Sequence, residues 1–267
     1  VTPLRLTIGE LAFAVAQATS YEKAVKLVSM QFEVERLEDA LLLIQASAQS
    51  LHARELATRL VPRVELTPPM VVIGRVLGTA EWLLRCSKTH AARTDSLLLH
   101  LSPAGVLAHE VITEHVQRLE AVASVAAMLG RAADFFGLAR GELALPTLRV
   151  PRELFEAIWA EPEPGKIAAR LEHLRATGVP ALVRSGLAED LAAAGWRGGI
   201  SRTYYPHGRA PEVHAVLYLA AGRRTWLAEP DATGDVVIGE ATRQRFAEVA
   251  ARALDDIPSG DRIFAPY

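Results

Sequence analysis

One order of segments runs through this chain twice, and any fold proposed for it must accommodate that repetition. Leu4-Arg5-Leu6 is a short extended run, and Thr7 followed by Glu10 has the spacing of a capping box, which predicts a helix from Ile8 to Ala18. Helical spacing of apolar residues continues over Tyr21–Met30, over Glu35–Gln49 and over a shorter stretch at Ala53–Leu60. After Pro68-Pro69 the β-branched residues Val71, Val72, Ile73 and Val76, with Leu77 and Trp82-Leu83-Leu84, predict one long strand or two joined ones. Gly74 and Gly78 are spaced as in a helix contact, but in that setting they read as a bulge or bend. Ser87–Asp95 reads as a polar loop. Leu97–Leu101 and Val106–Ile112 read as a hairpin across Ser102-Pro103-Ala104-Gly105. Glu114–Leu129 reads as a closing helix that Arg131–Phe136 can extend, and Gly137–Leu145 as a linker.

Beyond the linker, Leu148-Arg149-Val150 parallels Leu4-Arg5-Leu6, and Glu153-Leu154 with Ala157-Ile158 parallels Glu10-Leu11 with Ala14-Val15. Helices over Lys166–Thr177 and Ala181–Ala194 follow, then strands over Gly199–Tyr205, Val213–Leu219 and Thr225–Ala228, and a last helix over Ala241–Leu254. The expected fold class is therefore α+β: two related halves, residues 1–136 and 146–267, each with antiparallel strands and flanking helices. The linker has no flexible Gly/Ser tract, and separate halves would leave exposed edge strands. A pseudo-twofold arrangement sharing one central sheet is therefore expected.

Composition narrows the function classes. Half of the 267 residues are hydrophobic and the formal net charge is −2, which permits a large core and gives no electrostatic reason to expect nucleic acid or anionic lipid. No apolar run approaches the ~18 residues of a membrane span, and no targeting signal opens the chain. A start at Val1 suggests a trimmed or partial chain. Cys86 is the single cysteine, which fits a reducing compartment and reads as a small buried hydrophobe in a strand.

The search for chemistry returns little. His109-Glu110 and His115 miss the H-E-x-x-H spacing, because the histidines are six apart instead of four. His100 and His109 can face each other across the hairpin. Ser185 lacks the first glycine of a nucleophile elbow, and neither a P-loop nor a dinucleotide fingerprint is present. Glu229, Asp231, Asp235 and Glu240 read as a solvated acidic loop without calcium-loop spacing. Tyr204-Tyr205 with Arg202, His207 and Arg209 is the one aromatic and basic cluster, and it reads as the end of a strand. No cofactor and no metal are expected. A protein-binding module is favoured, the alternative being an enzyme with a dispersed site in the cleft between the halves.

The order of elements resembles the EspG family, the cytosolic chaperones of type VII secretion. The resemblance rests on Val150-Pro151-Arg152-Glu153-Leu154, on the Val71–Arg85 region followed by Ser87–Asp95, on the hairpin Leu97–Ile112, and on Ala250-x-x-Ala253-Leu254-x-x-Ile257-Pro258. It implies a cytoplasmic chaperone that shields the helical tip of a PE–PPE-like secreted client. By position, the implied contact residues are Lys88, Thr89, His90, Arg93 and Asp95 in the polar segment, and Glu153, Trp159 and Leu182 in the helices of the second half.

Overall fold

The computed structural model describes residues 3–31, 36–58, 64–113, 115–141, 145–161, 163–172, 180–205 and 210–254. A four-residue strand, β1 (Leu4–Thr7), leads directly into α1 (Ile8–Ala18). The expected capping box forms: the Thr7 amide donates to Glu10 Oε2 at 2.8 Å and the Glu10 amide donates to Thr7 Oγ1 at 3.2 Å. Residues Ile8 to Ala16 of α1 are buried without interruption, as expected of a helix packed on all sides. Around it lie α2 (Tyr21–Gln31), α3 (Leu37–Ala53) and α4 (Pro68–Thr79).

The helix α4 corrects the expected strand over Val71–Leu77. Thr67 has the extended backbone of an N-cap and Pro68 and Pro69 occupy the first helical positions, where a missing N–H is harmless. The spacing of Gly74 and Gly78 is then a helix contact after all. A Cβ on Gly74 would lie 2.2 Å from the Ala14 carbonyl oxygen, and one on Gly78 would lie 2.5 Å from Thr19 Oγ1. Gly74 lets α4 pack directly on the α1 backbone and Gly78 makes room for the Thr19 side chain at the end of α1, and that contact overrides the β propensity of Val71-Val72-Ile73. The short helix expected at Ala53–Leu60 is also corrected. Its described part turns at Arg54–Leu56 and forms an isolated bridge between Ala57 and Leu66.

The strands β2 (Trp82–His90), β3 (Arg93–Ser102), β4 (Gly105–Val111) and β5 (Val116–Val122) form a meander closed by α5 (Val125–Phe136). Ser87–Asp95 is thus not a loop. β2 and β3 stay paired out to His90 opposite Arg93, and only Ala91-Ala92 turns the chain, with Ala91 at φ +47°. Residues 116–122 of the expected closing helix are instead a strand. Val116, Leu119 and Val122 have helical spacing, but β1 needs a partner, and Leu4 to Thr7 pair with Leu119 to Val116. Ser124 caps α5 through the Ala127 amide, and Gly137 ends it in the left-handed conformation at φ +67°.

The second part runs β6 (Leu148–Val150), α6 (Arg152–Trp159), α7 (Pro164–Glu172), α8 (Ala181–Ala192), β7 (Trp196–Tyr204), β8 (Glu212–Ala221), β9 (Thr225–Pro230), β10 (Val236–Glu240) and α9 (Arg243–Leu254). The end of the helix expected over Lys166–Thr177 lies outside the described residues. The acidic loop expected after β9 is corrected by β10. Glu229 belongs to β9 and Glu240 to β10, and only Asp231–Asp235 is a turn, with Asp231 Oδ1 accepting from the amides of Thr233 and Asp235.

All described strands join one antiparallel sheet in the order β1-β5-β4-β3-β2-β7-β8-β9-β10-β6. The sequence of roles is the same read inward from either edge, and the junction is the β2–β7 pair, from Trp82 opposite Tyr204 to Thr89 opposite Arg197. On one face α5 and α9 cover the middle of the sheet, with Met128, Phe136, Phe246 and Val249 packed on Leu84, Cys86, Leu99, Ile200, Leu217 and Leu227. On the other face two separate cores form, α1–α4 over Leu6, Leu107 and Leu119, and α6–α8 over Leu148, Trp226 and Ile238.

Candidate functional site

Strand alternation divides β2 and β7 cleanly between the two faces. Leu84, Cys86 and Ile200 point into the α5–α9 core. Their neighbours Leu83, Arg85, Ser87 and Thr89 on β2, and Thr203, Ser201, Gly199 and Arg197 on β7, point the other way. None of these eight belongs to the α1–α4 or the α6–α8 core. The two helical layers leave the middle of the sheet open between them.

Register fixes the floor of this trough as cross-strand rows. Leu98, Arg85, Ser201 and Ala215 form one row; Leu83, Thr203 and Val213 form the next; Ser96, Ser87 and Gly199 form a third. Arg85 and Ala215 are exposed, Val213 retains 65% of its accessible surface, and Leu83, Leu98, Ser201 and Thr203 are half-buried. The floor is therefore built of small and aliphatic side chains around one guanidinium.

One wall is α6. Near its start, Arg152, Phe155 and Glu156 meet Val213, Ala215 and Tyr218 around a cleft of about 260 Å³. Its aromatic residues anchor it to β8, Phe155 lying 5.1 Å and Trp159 6.2 Å from the Tyr218 ring. At its far end Arg197 donates to the Trp159 carbonyl, to Glu161 O at 3.3 Å and to Leu191 O at 2.8 Å. Arg197 stands opposite Thr89 in the backbone ladder, so this one residue joins β2, through its main chain, to the ends of α6 and α8, through its side chain. Burial pulls the Arg197 guanidinium below its usual value.

Of the residues selected from sequence, Thr89 and Trp159 are both linked to Arg197, Thr89 by strand register and Trp159 through its carbonyl, and Thr89 Oγ1 lies 2.9 Å from Thr94 Oγ1. Lys88 does not reach the trough. It alternates to the other face, donates to Phe135 O at 2.9 Å and lies 4.9 Å from the Phe135 ring centroid. Arg93 and Asp95 pair with each other at 2.9 Å on that same face. His90 Nδ1 lies 3.0 Å from Gly195 O at the hairpin tip. Glu153 is exposed near the start of α6, and Leu182 is 64% exposed at the start of α8. Sequence reasoning missed Arg85, Ser201, Val213 and Ala215. Their signal was the alternation of Leu84 and Cys86 with polar neighbours, which becomes visible once β2 is read as a strand through Ser87.

The remaining candidates are structural. His100 Nε2 lies 3.1 Å from His109 Nδ1, and His109 Nε2 lies 2.9 Å from Gln117 Oε1, a chain of three side chains on adjacent strands. Burial lowers both imidazoles, His100 to about 3, with the His109 charge adding to the effect on His100. Among the described residues no group of three or more histidine, cysteine, aspartate or glutamate side chains converges on a possible metal position. Cys86 is fully buried and its thiol is pushed up to about 12 by that burial, as expected of a packed and unreactive side chain. Trp82 stacks on Tyr204 at 4.4 Å and Arg202 lies over Trp82, so these aromatic faces are already occupied. His207 and Arg209 lie outside the described residues. No described helix is long and apolar enough to cross a membrane.

No family model and no curated protein matches the chain by sequence. Among solved structures it is similar to the type VII secretion chaperone EspG5 of Mycobacterium tuberculosis, in a complex with the PE25–PPE41 dimer. The TM-score is 0.67 at 12% identity, over 97% of this chain and 98% of that one. The likeness covers the whole architecture, and the chain has the fold of that chaperone.

Proposed function

We propose that this protein is a non-catalytic chaperone that shields the helical tip of a PE–PPE-like secreted client, holding it on the open β2/β7 face. The observation that carries the reading is the trough itself. A sheet floor of Leu83, Leu98, Val213, Ala215 and small hydroxyl residues, walled by α6, suits an apolar helical end that would otherwise aggregate. The whole-chain likeness to a chaperone seen with a PE–PPE dimer supports the choice of client class. The hairpin tip and the ends of α6 and α8, joined through Arg197, extend the same surface at one end. Cytoplasmic residence follows from the role, since such a client must be met before export.

The test is reconstitution of the purified chain with PE–PPE heterodimers, read by light scattering after size exclusion. A stable complex is expected for the wild type, and Val213→Asp or Ala215→Asp should abolish it. Leu37→Asp, at the exposed start of α3, should not. Complexes that form equally well with both trough variants would refute the assignment.

A further inference from the structure

Arg85 stands at the middle of the open face, and its surroundings specify what a partner must bring. Its cross-strand neighbours are Leu98 on β3 and Ser201 on β7, and its neighbours along β2 on that face are Leu83 and Ser87. Among the described residues, the hydrogen bond it makes is a marginal one, Nη2 to Ser96 Oγ at 3.5 Å. Glu156, on the α6 wall, pairs with Arg152 at 2.9 Å, and Asp95 pairs with Arg93 on the opposite face of the sheet. The side chain is exposed, on a strand paired on both sides, and its guanidinium carries five N–H donors.

A partner seated on this face removes that solvent. An unpaired guanidinium covered by apolar surface is strongly unfavourable, and serine hydroxyls do not neutralise it. A carboxylate matches the planar donor fork in a bidentate manner and restores both charge and hydrogen bonds. We propose that the occupant of the trough is an apolar helical tip carrying a carboxylate side chain at its centre, and that Arg85 is the residue that selects it. This deepens the chaperone reading and rests on it. Leu83, Leu98, Val213 and Ala215 receive the apolar groups, while Ser87, Ser96 and Ser201 remain as secondary donors to the carboxylate oxygens.

The experiment has two arms. In the first, a PE–PPE heterodimer retained by the wild type is titrated against Arg85→Glu and Arg85→Ser by calorimetry. Arg85→Glu should weaken binding at least a hundredfold and Arg85→Ser about tenfold, and changing one acidic residue in the client tip to lysine should restore affinity to Arg85→Glu. Thermal midpoints should stay with the wild type, because Arg85 is exposed. In the second arm the Arg85 side-chain Nε–H signal is followed by NMR. The probes are a capped helical peptide with one glutamate among leucines and its glutamine twin. The glutamate peptide should shift the signal and the twin should not. Equal affinities of wild type and Arg85→Glu, or equal or absent shifts with the two peptides, would overturn the Arg85 assignment. Failure of every PE–PPE pair to bind, with the peptide response intact, would instead count against the chaperone reading and leave the carboxylate preference standing.

Discussion

The glycine seam between α1 and α4 allows a stability test in which two chemically identical substitutions should act in opposite directions. In Gly74→Ala the new methyl would sit 2.2 Å from the Ala14 oxygen, 2.6 Å from the Ala14 carbonyl carbon and 3.0 Å from Ala18 Cβ. Ordinary contact begins at 3.4 Å, so the shortfall is 3.4 − 2.2 = 1.2 Å against backbone, which no rotamer change can relieve. The helices must part by about 1 Å, and a gap of that size forfeits a quarter to a half of each dispersion contact along the seam. Overpacking of this kind costs about 1–3 kcal/mol, at the upper end where the obstacle is backbone, and the better helix propensity of alanine returns about 1 kcal/mol. A net loss of about 2 kcal/mol is expected, or about 4–8 °C in Tm for a chain of this size. Gly130→Ala, inside α5 with nothing within 4 Å of the new methyl, keeps only the propensity term and should gain about 0.5–1 kcal/mol. Differential scanning calorimetry of both variants is the assay. Gly74→Ala melting with or above the wild type would refute the contact, and Gly130→Ala melting below it would refute the separation of the two terms.

Three further outcomes follow from the buried polar groups and the shared sheet. His100 and His109 are neutral when folded and ordinary imidazoles, near 6.5, when unfolded, so protons below that pH bind the unfolded chain preferentially and stability falls with pH. The loss should be on the order of 1 kcal/mol per pH unit between about 6.5 and 3, and His100→Gln should make it shallower, His109 keeping its share; a slope unchanged in that variant would refute the assignment. Asp190 is buried and accepts from the Arg223 amide at 2.9 Å and from Trp226 Nε1 at 3.0 Å, so Asp190→Ala should cost about 3 kcal/mol in urea unfolding and Asp190→Asn clearly less, and equal losses would refute the role of the retained acceptor and leave the charge alone as the cause. We also propose that residues 1–136 and 146–267 are related halves of one folding unit: their Cα traces should superpose, and either half expressed alone should lack a cooperative monomeric melt by circular dichroism.

Most of the element order was legible because it rests on local chemistry. The Thr7–Glu10 capping box, the β3–β4 hairpin across Pro103-Ala104, and the last helix all follow from short-range signals. The failures share a cause in contacts remote in sequence. Val71-Val72-Ile73 has the composition of a strand, and only the close approach of Gly74 to Ala14, sixty residues away, makes it a helix. Val116–Val122 satisfies helical spacing and strand alternation equally, and β1 decides between them through Leu4 opposite Leu119. The polarity of Ser87–Asp95 suggests a loop, although strands whose one face is open to water are polar at alternate positions by nature. That same error concealed the candidate site. Once Ser87 is placed on a strand, Arg85 two residues before it falls on the open face, and the trough is defined.

The one-sheet architecture also explains why the middle of one sheet face can stay open without endangering the molecule. The outer strands are short, four residues in β1 and three in β6, and the Arg5 carbonyl of β1 accepts from Arg54 Nη2, which blunts one edge against further pairing. Arg54 is itself fixed by the buried carboxylate of Glu10, at 2.7 and 2.8 Å, so the edge guard is anchored in the α1 capping box. The middle of the sheet needs no such protection, because its backbone groups are consumed by the β2–β7 ladder. What remains there is side-chain chemistry alone, aliphatic and hydroxyl groups around one arginine. A face of that kind offers shape and a charge to a partner, and it cannot extend into a sheet with another copy. On the proposed chaperone reading, that combination suits selective yet reversible capture of an apolar client.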